Sequence, residues 1–153
     1  MDNALYKQTT VRRGHIYRYY ASPATPGMPT LLFLHGYPST SYDWHRQVEY
    51  FQPLGYGILA PDCLGAGGTA KPLDDKEYRQ TAMAEDIVDI LKAEGVDKVV
   101  GISHDWYVIL PMICRLRYSC TVAGAQYCNR ACQCSTHTCS MASCGLRSPS
   151  WSL

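Results

Sequence analysis

Three short runs with apolar centres, each followed by a polar patch, constrain this chain more than any other feature. They are TLLFLH at residues 30–35, YGILAP at 56–61 and VDKVVGIS at 96–103. A run of roughly four to eight such residues bounded by turn residues reads as a strand buried on both faces. After the first run, Ser39, Thr40 or Ser41 can cap a helix of about ten residues that ends near Phe51, before Pro53 and Gly55. Between the second and third runs, residues 74–95 bring a charged turn and then a helix. Its Met83, Ile87, Ile90 and Leu91 share one face, and Gly95 is its stop signal. The alternation of strands and helices predicts an α/β fold, a mostly parallel sheet with helices on both faces. Upstream, residues 11–20 read as a strand interrupted by a turn at Gly14. Downstream, residues 108–118 fit a helix with Pro111 in its first turn, and 121–125 open one more strand.

In an open parallel sheet, function gathers beyond the C-terminal ends of the strands. Three polar patches fall there: residues 35–38, 62–69 and 103–106. Asp105 follows a buried strand and precedes a helix, a setting of unpaired N–H groups and positive dipole that keeps a carboxylate ionised and oriented. Such a group suits nucleophilic attack on carbon. The same position also suits a plain helix cap. Gly101-Ile102-Ser103-His104-Asp105 falls one residue short of the G-x-S-x-G elbow, which leaves Ser103 as an alternative nucleophile.

Read together, His35-Gly36-Tyr37-Pro38, Ser41-Tyr42-Asp43-Trp44, the loop from Asp62 to Thr69 leading through Lys71 to Pro72, and His104-Asp105-Trp106 resemble the α/β-hydrolase family. The likeness is to its epoxide hydrolase and haloalkane dehalogenase branch, epoxide hydrolases above all, and covers about 100 residues of the chain. The resemblance implies that Asp105 attacks an epoxide carbon of a small apolar substrate and forms a covalent ester, later hydrolysed to a diol. It implies that the backbone N–H groups of Trp106 and Tyr37 form the oxyanion hole, within a turn shaped by His35, Gly36 and Pro38. His104 flanks the nucleophile and is not the general base. Gly65, Gly67 and Gly68 match a structural loop rather than a phosphate cradle, since no Gly-Lys-Ser/Thr follows. No cofactor and no metal are implied.

The chain departs from the family pattern in two places. Tyr107 and Val108 stand where the family has small residues that let strand and helix approach closely. A displacement of about 1 Å at such a site costs on the order of a hundredfold in rate. The family also uses a downstream acid and a late histidine to activate water. All 13 carboxylates lie at or before Asp105, and His137 is the one later histidine. Charge and sulfur break at the same point. The first 105 residues hold ten Lys/Arg against those 13 carboxylates, a formal charge of −3, while the rest is +4. Seven of the eight cysteines lie between Cys114 and Cys144. The expected organisation is an N-terminal part of an α/β-hydrolase core over residues 1–127 and an irregular Cys/Ser/Thr-rich tail over 128–153. A splice variant or shifted frame accounts for such a tail, and the site is expected to be catalytically incomplete. Two alternatives stand beside that reading. One is a non-catalytic fragment that binds a partner or pairs with itself through an unfinished sheet. The other is a Cys-rich metal-binding protein, although the tail has no paired Cys-x₂-Cys knuckles. The balanced charge gives no phosphate-binding stripe for nucleic acid. No apolar run approaches the roughly 18 residues of a membrane span. The N-terminus has no secretory signal, so the expected location is cytoplasmic.

Overall fold

The computed structural model describes residues 1–103 and residue 105. Within them lie five strands and two α-helices: β1 (Tyr6–Thr10), β2 (Ile16–Ser22), β3 (Thr30–Leu34), α1 (His45–Phe51), β4 (Gly57–Pro61), α2 (Gln80–Ala93) and β5 (Val99–Ser103). Short 3₁₀ turns precede α1 at Ser41–Trp44, follow it at Gln52–Leu54 and precede α2 at Asp75–Tyr78. One sheet holds all five strands in the order β1-β2-β4-β3-β5. The expected parallel arrangement occupies β4-β3-β5, while β1-β2 and β2-β4 pair antiparallel, so the sheet is mixed. Its antiparallel half begins with a hairpin. The turn at Gly14 does not interrupt a strand over 11–20; it joins β1 to β2, with Gly14 N–H donating to Val11 C=O at 2.8 Å and Gly14 in the left-handed region.

Side chains alternate across the sheet with the period of two that a strand imposes. Leu32 and Leu34 of β3 join Tyr17, Tyr19, Leu59 and Val99 against Met83, Ala84, Ile87, Ile90 and Leu91 of α2. Leu31 and Phe33 turn the other way, joining Tyr20, Ile58, Ala60 and Val100 against Val48 of α1. Each fully buried side chain of this size contributes about 1.5–3 kcal/mol, so both faces are true cores. Two helices on opposite faces follow from the topology: the chain steps from β3 to β4, then reverses across β3 to reach β5. A crossover of fixed hand deposits its helix on the other face when its direction reverses. α2 stops as expected. Gly95 is left-handed at φ 66°, its N–H donates to Lys92 C=O at 3.1 Å, and Val96 N–H donates to Leu91 C=O at 2.9 Å, the paired bonds of a Schellman motif.

Among the described residues no helix is long and apolar enough to cross a membrane. The expected helix over 108–118, the strand at 121–125, the division at 127/128 and the Cys-rich tail lie outside the described residues.

Candidate active site

Because β3 lies between β4 and β5, the loops that leave the C-terminal ends of these three strands converge. β3 and β5 run side by side in parallel register from Thr30↔Val99 to Leu34↔Ser103. The next residues, His35-Gly36-Tyr37 on one side and Asp105 on the other, therefore meet just beyond the sheet. Ser103 is still part of β5, paired opposite Leu34. Asp105 is exposed and adopts φ 62°, the one left-handed non-glycine residue among those described. That conformation is uncommon for a residue with a Cβ and marks a tight turn that lifts the side chain off the strand end. Tyr37 N–H donates to Asp105 Oδ2 at 3.2 Å, which leaves Oδ1 directed away from this backbone donor.

The loop bearing Tyr37 is fixed from β4 at both of its ends. At the near end, buried His35 accepts the Cys63 N–H on Nε2 at 2.9 Å, so its ring proton sits on Nδ1, which donates to Gly36 C=O at 2.8 Å. Ser39 adds its N–H at 3.0 Å and its hydroxyl at 2.8 Å to the same carbonyl. The Tyr37–Pro38 peptide is cis. At the far end, Ser41 donates to Asp62 Oδ1 through both N–H, at 2.9 Å, and Oγ, at 2.6 Å. Tyr37 is 83% exposed, and it meets Asp105 through its backbone N–H.

Asp62 is fully buried and saturated. Besides Ser41 it accepts the Gly68 N–H at 2.9 Å and Arg18 Nη1 at 3.1 Å, and the Arg18 guanidinium lies 3.6 Å from the centre of the Tyr6 ring. Burial pushes its carboxyl upward, but the Gly68 N–H, Ser41 and Arg18 outweigh burial and hold it below the ordinary carboxylate range. The glycine loop is shaped around this group. A Cβ on Gly67 would stand inside the Asp62 carboxylate, and one on Gly68 would strike the Arg18 side chain. The resemblance implied a structural loop that lets backbone segments approach closely; at Gly67 and Gly68 the close neighbours are the side chains of Asp62 and Arg18. The anchoring role of Asp62 itself was missed, although its place directly after β4 was a usable signal. His104 and Trp106, expected beside Asp105, and Tyr107 with Val108, expected to disturb it, lie outside the described residues.

A mixed sheet of this order, with a strained acidic turn after β5 facing an N–H after β3, defines an α/β hydrolase. The chain belongs to the alpha/beta hydrolase fold family, whose family model matches residues 29–106, from the start of β3 through the Asp105 turn. Within it, the chain is similar to epoxide hydrolases. It is 33% identical to Epoxide hydrolase A of Mycobacterium tuberculosis over 85 residues, 56% of this chain and 26% of that protein. It is 35% identical to Epoxide hydrolase 3 of Siraitia grosvenorii over 101 residues, 66% of this chain and 31% of that protein. The crystal structure of an epoxide hydrolase from Vigna radiata superposes with a TM-score of 0.65 at 29% identity, covering 78% of this chain and 39% of that one. The chain thus spans between a quarter and two fifths of the lengths of these relatives.

Proposed function

We propose that this chain carries the nucleophile half of an epoxide hydrolase-type site, with Asp105 as the nucleophile and the Tyr37 N–H as one donor of its oxyanion hole. The observation that carries the reading is the left-handed Asp105 turn whose Oδ2 already sits on the Tyr37 N–H. Oδ1 attacks the less hindered carbon of a small apolar epoxide. The new C–O bond forms as the epoxide C–O bond breaks, and the negative charge passes to the epoxide oxygen, which takes a proton from solvent. In the ester, Oδ2 becomes the carbonyl oxygen, so the donor that holds the ground-state carboxylate also faces the oxygen that turns anionic when water adds. The resemblance assigns the second donor to the Trp106 N–H, and the shaping of the turn to His35, Gly36 and Pro38. A serine nucleophile at Ser103 is disfavoured, because that residue is still paired within the strand.

The second half-reaction requires an acid and a base to activate water. No Asp or Glu follows Asp105 in this sequence, so this chain is expected to stop at the ester. Incubated with styrene oxide and followed by intact-protein mass spectrometry, it should gain one covalent adduct, mapped to Asp105 and absent from Asp105→Asn. An unmodified wild-type protein with an intact fold overturns the nucleophile assignment. Repeated turnover to the diol, abolished by the same substitution, overturns the half-reaction.

A second reading rests on β5, which among the described residues pairs with β3 alone. An unpaired edge is a template for another strand, and the reading is a chain that self-associates there. Sedimentation velocity showing a monomer across the micromolar range would remove it.

A further inference from the structure

We infer that Ser39 is a positioning residue, whose hydroxyl acts with the His35 imidazole to aim and polarise the Tyr37 N–H that holds Asp105. The inference deepens the reading of Asp105 as nucleophile and rests on it for its catalytic meaning.

The Gly36 carbonyl and the Tyr37 N–H belong to a single planar trans peptide unit, so they point in opposite directions. Whatever fixes the oxygen fixes the hydrogen. Three donors converge on the oxygen: His35 Nδ1 at 2.8 Å, Ser39 Oγ at 2.8 Å and Ser39 N–H at 3.0 Å. A carbonyl offers two lone pairs, so three donors leave it little freedom to rotate. The groups also line up head to tail. Cys63 N–H donates to the imidazole, the imidazole to the Gly36 carbonyl, and the other side of that peptide donates to Asp105. Each hydrogen bond in such a series polarises the next. The carbonyl that draws electron density toward its donors makes the Tyr37 N–H a stronger donor to the carboxylate.

The contributions differ in how they can be altered. His35 is buried and tied to the end of β4, so replacing it would disturb the sheet as well as the site. Ser39 is half-buried and outside both cores, and its hydroxyl donates to the carbonyl. Removing that hydroxyl loosens the peptide plane without opening a cavity in either core.

The test uses the full chain labelled with ¹⁵N. In the wild-type protein the Tyr37 amide should titrate with one ionisation that vanishes in Asp105→Asn. Ser39→Ala should cut the amplitude of that titration by at least half and slow ester formation with styrene oxide by about three- to tenfold. Ser39→Thr, which keeps the hydroxyl, should restore both, and unshifted amides in β3 and α2 show the variants folded. A Ser39→Ala protein with the wild-type Tyr37 titration and ester rate overturns the inference. Should Ser39→Ala fail to fold, the wild-type His35 ring decides: nitrogen shifts showing a protonated Nδ1 and a bare Nε2 uphold the series, and a protonated Nε2 breaks it. The two readings fail separately. A Tyr37 titration damped by Ser39→Ala without any ester sinks the nucleophile and leaves the positioning intact. Ester formation indifferent to Ser39 does the reverse.

Discussion

Asp62 shows how a residue away from the reacting atoms fixes the site, because its four hydrogen bonds join β2, the end of the Tyr37 loop and the glycine loop at one buried point. Asp62→Asn removes the charge opposite Arg18 and sets an amide N–H₂ against donors. Breaking such a buried pair costs on the order of 3 kcal/mol, read as a lower urea midpoint at neutral pH. The sign of the pH dependence follows from the depressed pKa. A carboxylate held below its unfolded value contributes stability that is full above that value, near 3.9, and is lost as pH falls through the folded value. The variant should therefore lose less stability than the wild type between about pH 5 and pH 2. Gly67→Ala is a sharper probe of the same point. It combines φ 47° with a Cβ inside the Asp62 carboxylate, and the expected loss exceeds about 1 kcal/mol; a neutral result would contradict the packing described. The position of Asp105 was legible, since a carboxylate directly after a buried strand is a local pattern. The partners of Asp62 were not, because residues 18, 41 and 68 are brought to it only by the strand order.

The same distinction holds for whole elements. β3, β4, β5 and α2 could be read because burial on two faces writes a continuous apolar run for a strand, and burial on one face writes a 3.6-residue stripe for a helix. β1 was hidden: Tyr6–Thr10 is an edge strand with no fully buried residue, and its polar sequence carries no period of two. Polar ties bind this hairpin to the rest of the fold. Arg12 grips Asp89 at 2.8 Å, Lys7 reaches Glu94 at 2.7 Å, and Arg13 joins Asp86 at 2.7 Å and also Glu77. β2 contributes three tyrosine hydroxyls: Tyr17 to Asp86 at 2.9 Å, Tyr19 to Glu94 at 2.8 Å and Tyr20 to Gln52 at 2.8 Å. These bonds are unequal. Asp86 is fully buried, its Oδ1 has no hydrogen-bond partner among the described residues, and burial raises its pKa despite Tyr17 and Arg13. Tyr17→Phe takes a donor from an already undersupplied carboxylate, a loss of about 1.5–3 kcal/mol, whereas Tyr20→Phe breaks a neutral bond of about 0.5–1.5 kcal/mol. Urea denaturation of the two variants should rank them in that order. Equal costs would mean that Asp86 is carried protonated in the fold. Its linkage runs opposite to that of Asp62: a folded value above the unfolded one means ionised Asp86 opposes folding at neutral pH, and the opposition is relieved as pH falls through the folded value.

At the scale of the molecule, the two ends of the sheet have different characters. The C-terminal ends of β3, β4 and β5 are followed by exposed Tyr37, buried Asp62 and exposed Asp105. An open cleft of about 850 Å³ lies at the other end, lined by Met28, Thr30, Gly95, Lys98 and Val100 among others. Cleft size alone would place chemistry there, since ligand sites favour large concavities. Strand direction outweighs cleft size. Parallel strands deliver their following loops to one end only, and a reversal of strand order parts those loops into a crevice. The cleft at the opposite end has the ion pair of Lys7 with Glu94 at its rim but no residue of the Asp105 turn or the Tyr37 loop. The two accounts separate at Lys98, an exposed cleft residue. Lys98→Ala should leave the rate of ester formation at Asp105 unchanged within about twofold, because surface substitutions remote from a site shift free energies by only about 0.5 kcal/mol. Asp62→Asn, acting on the loop that carries the Tyr37 N–H, should slow it by tenfold or more. If Lys98→Ala proved the more damaging of the two in the same mass-spectrometric assay, the substrate would have to approach from the cleft end, and the strand-end assignment of the site would fall with it.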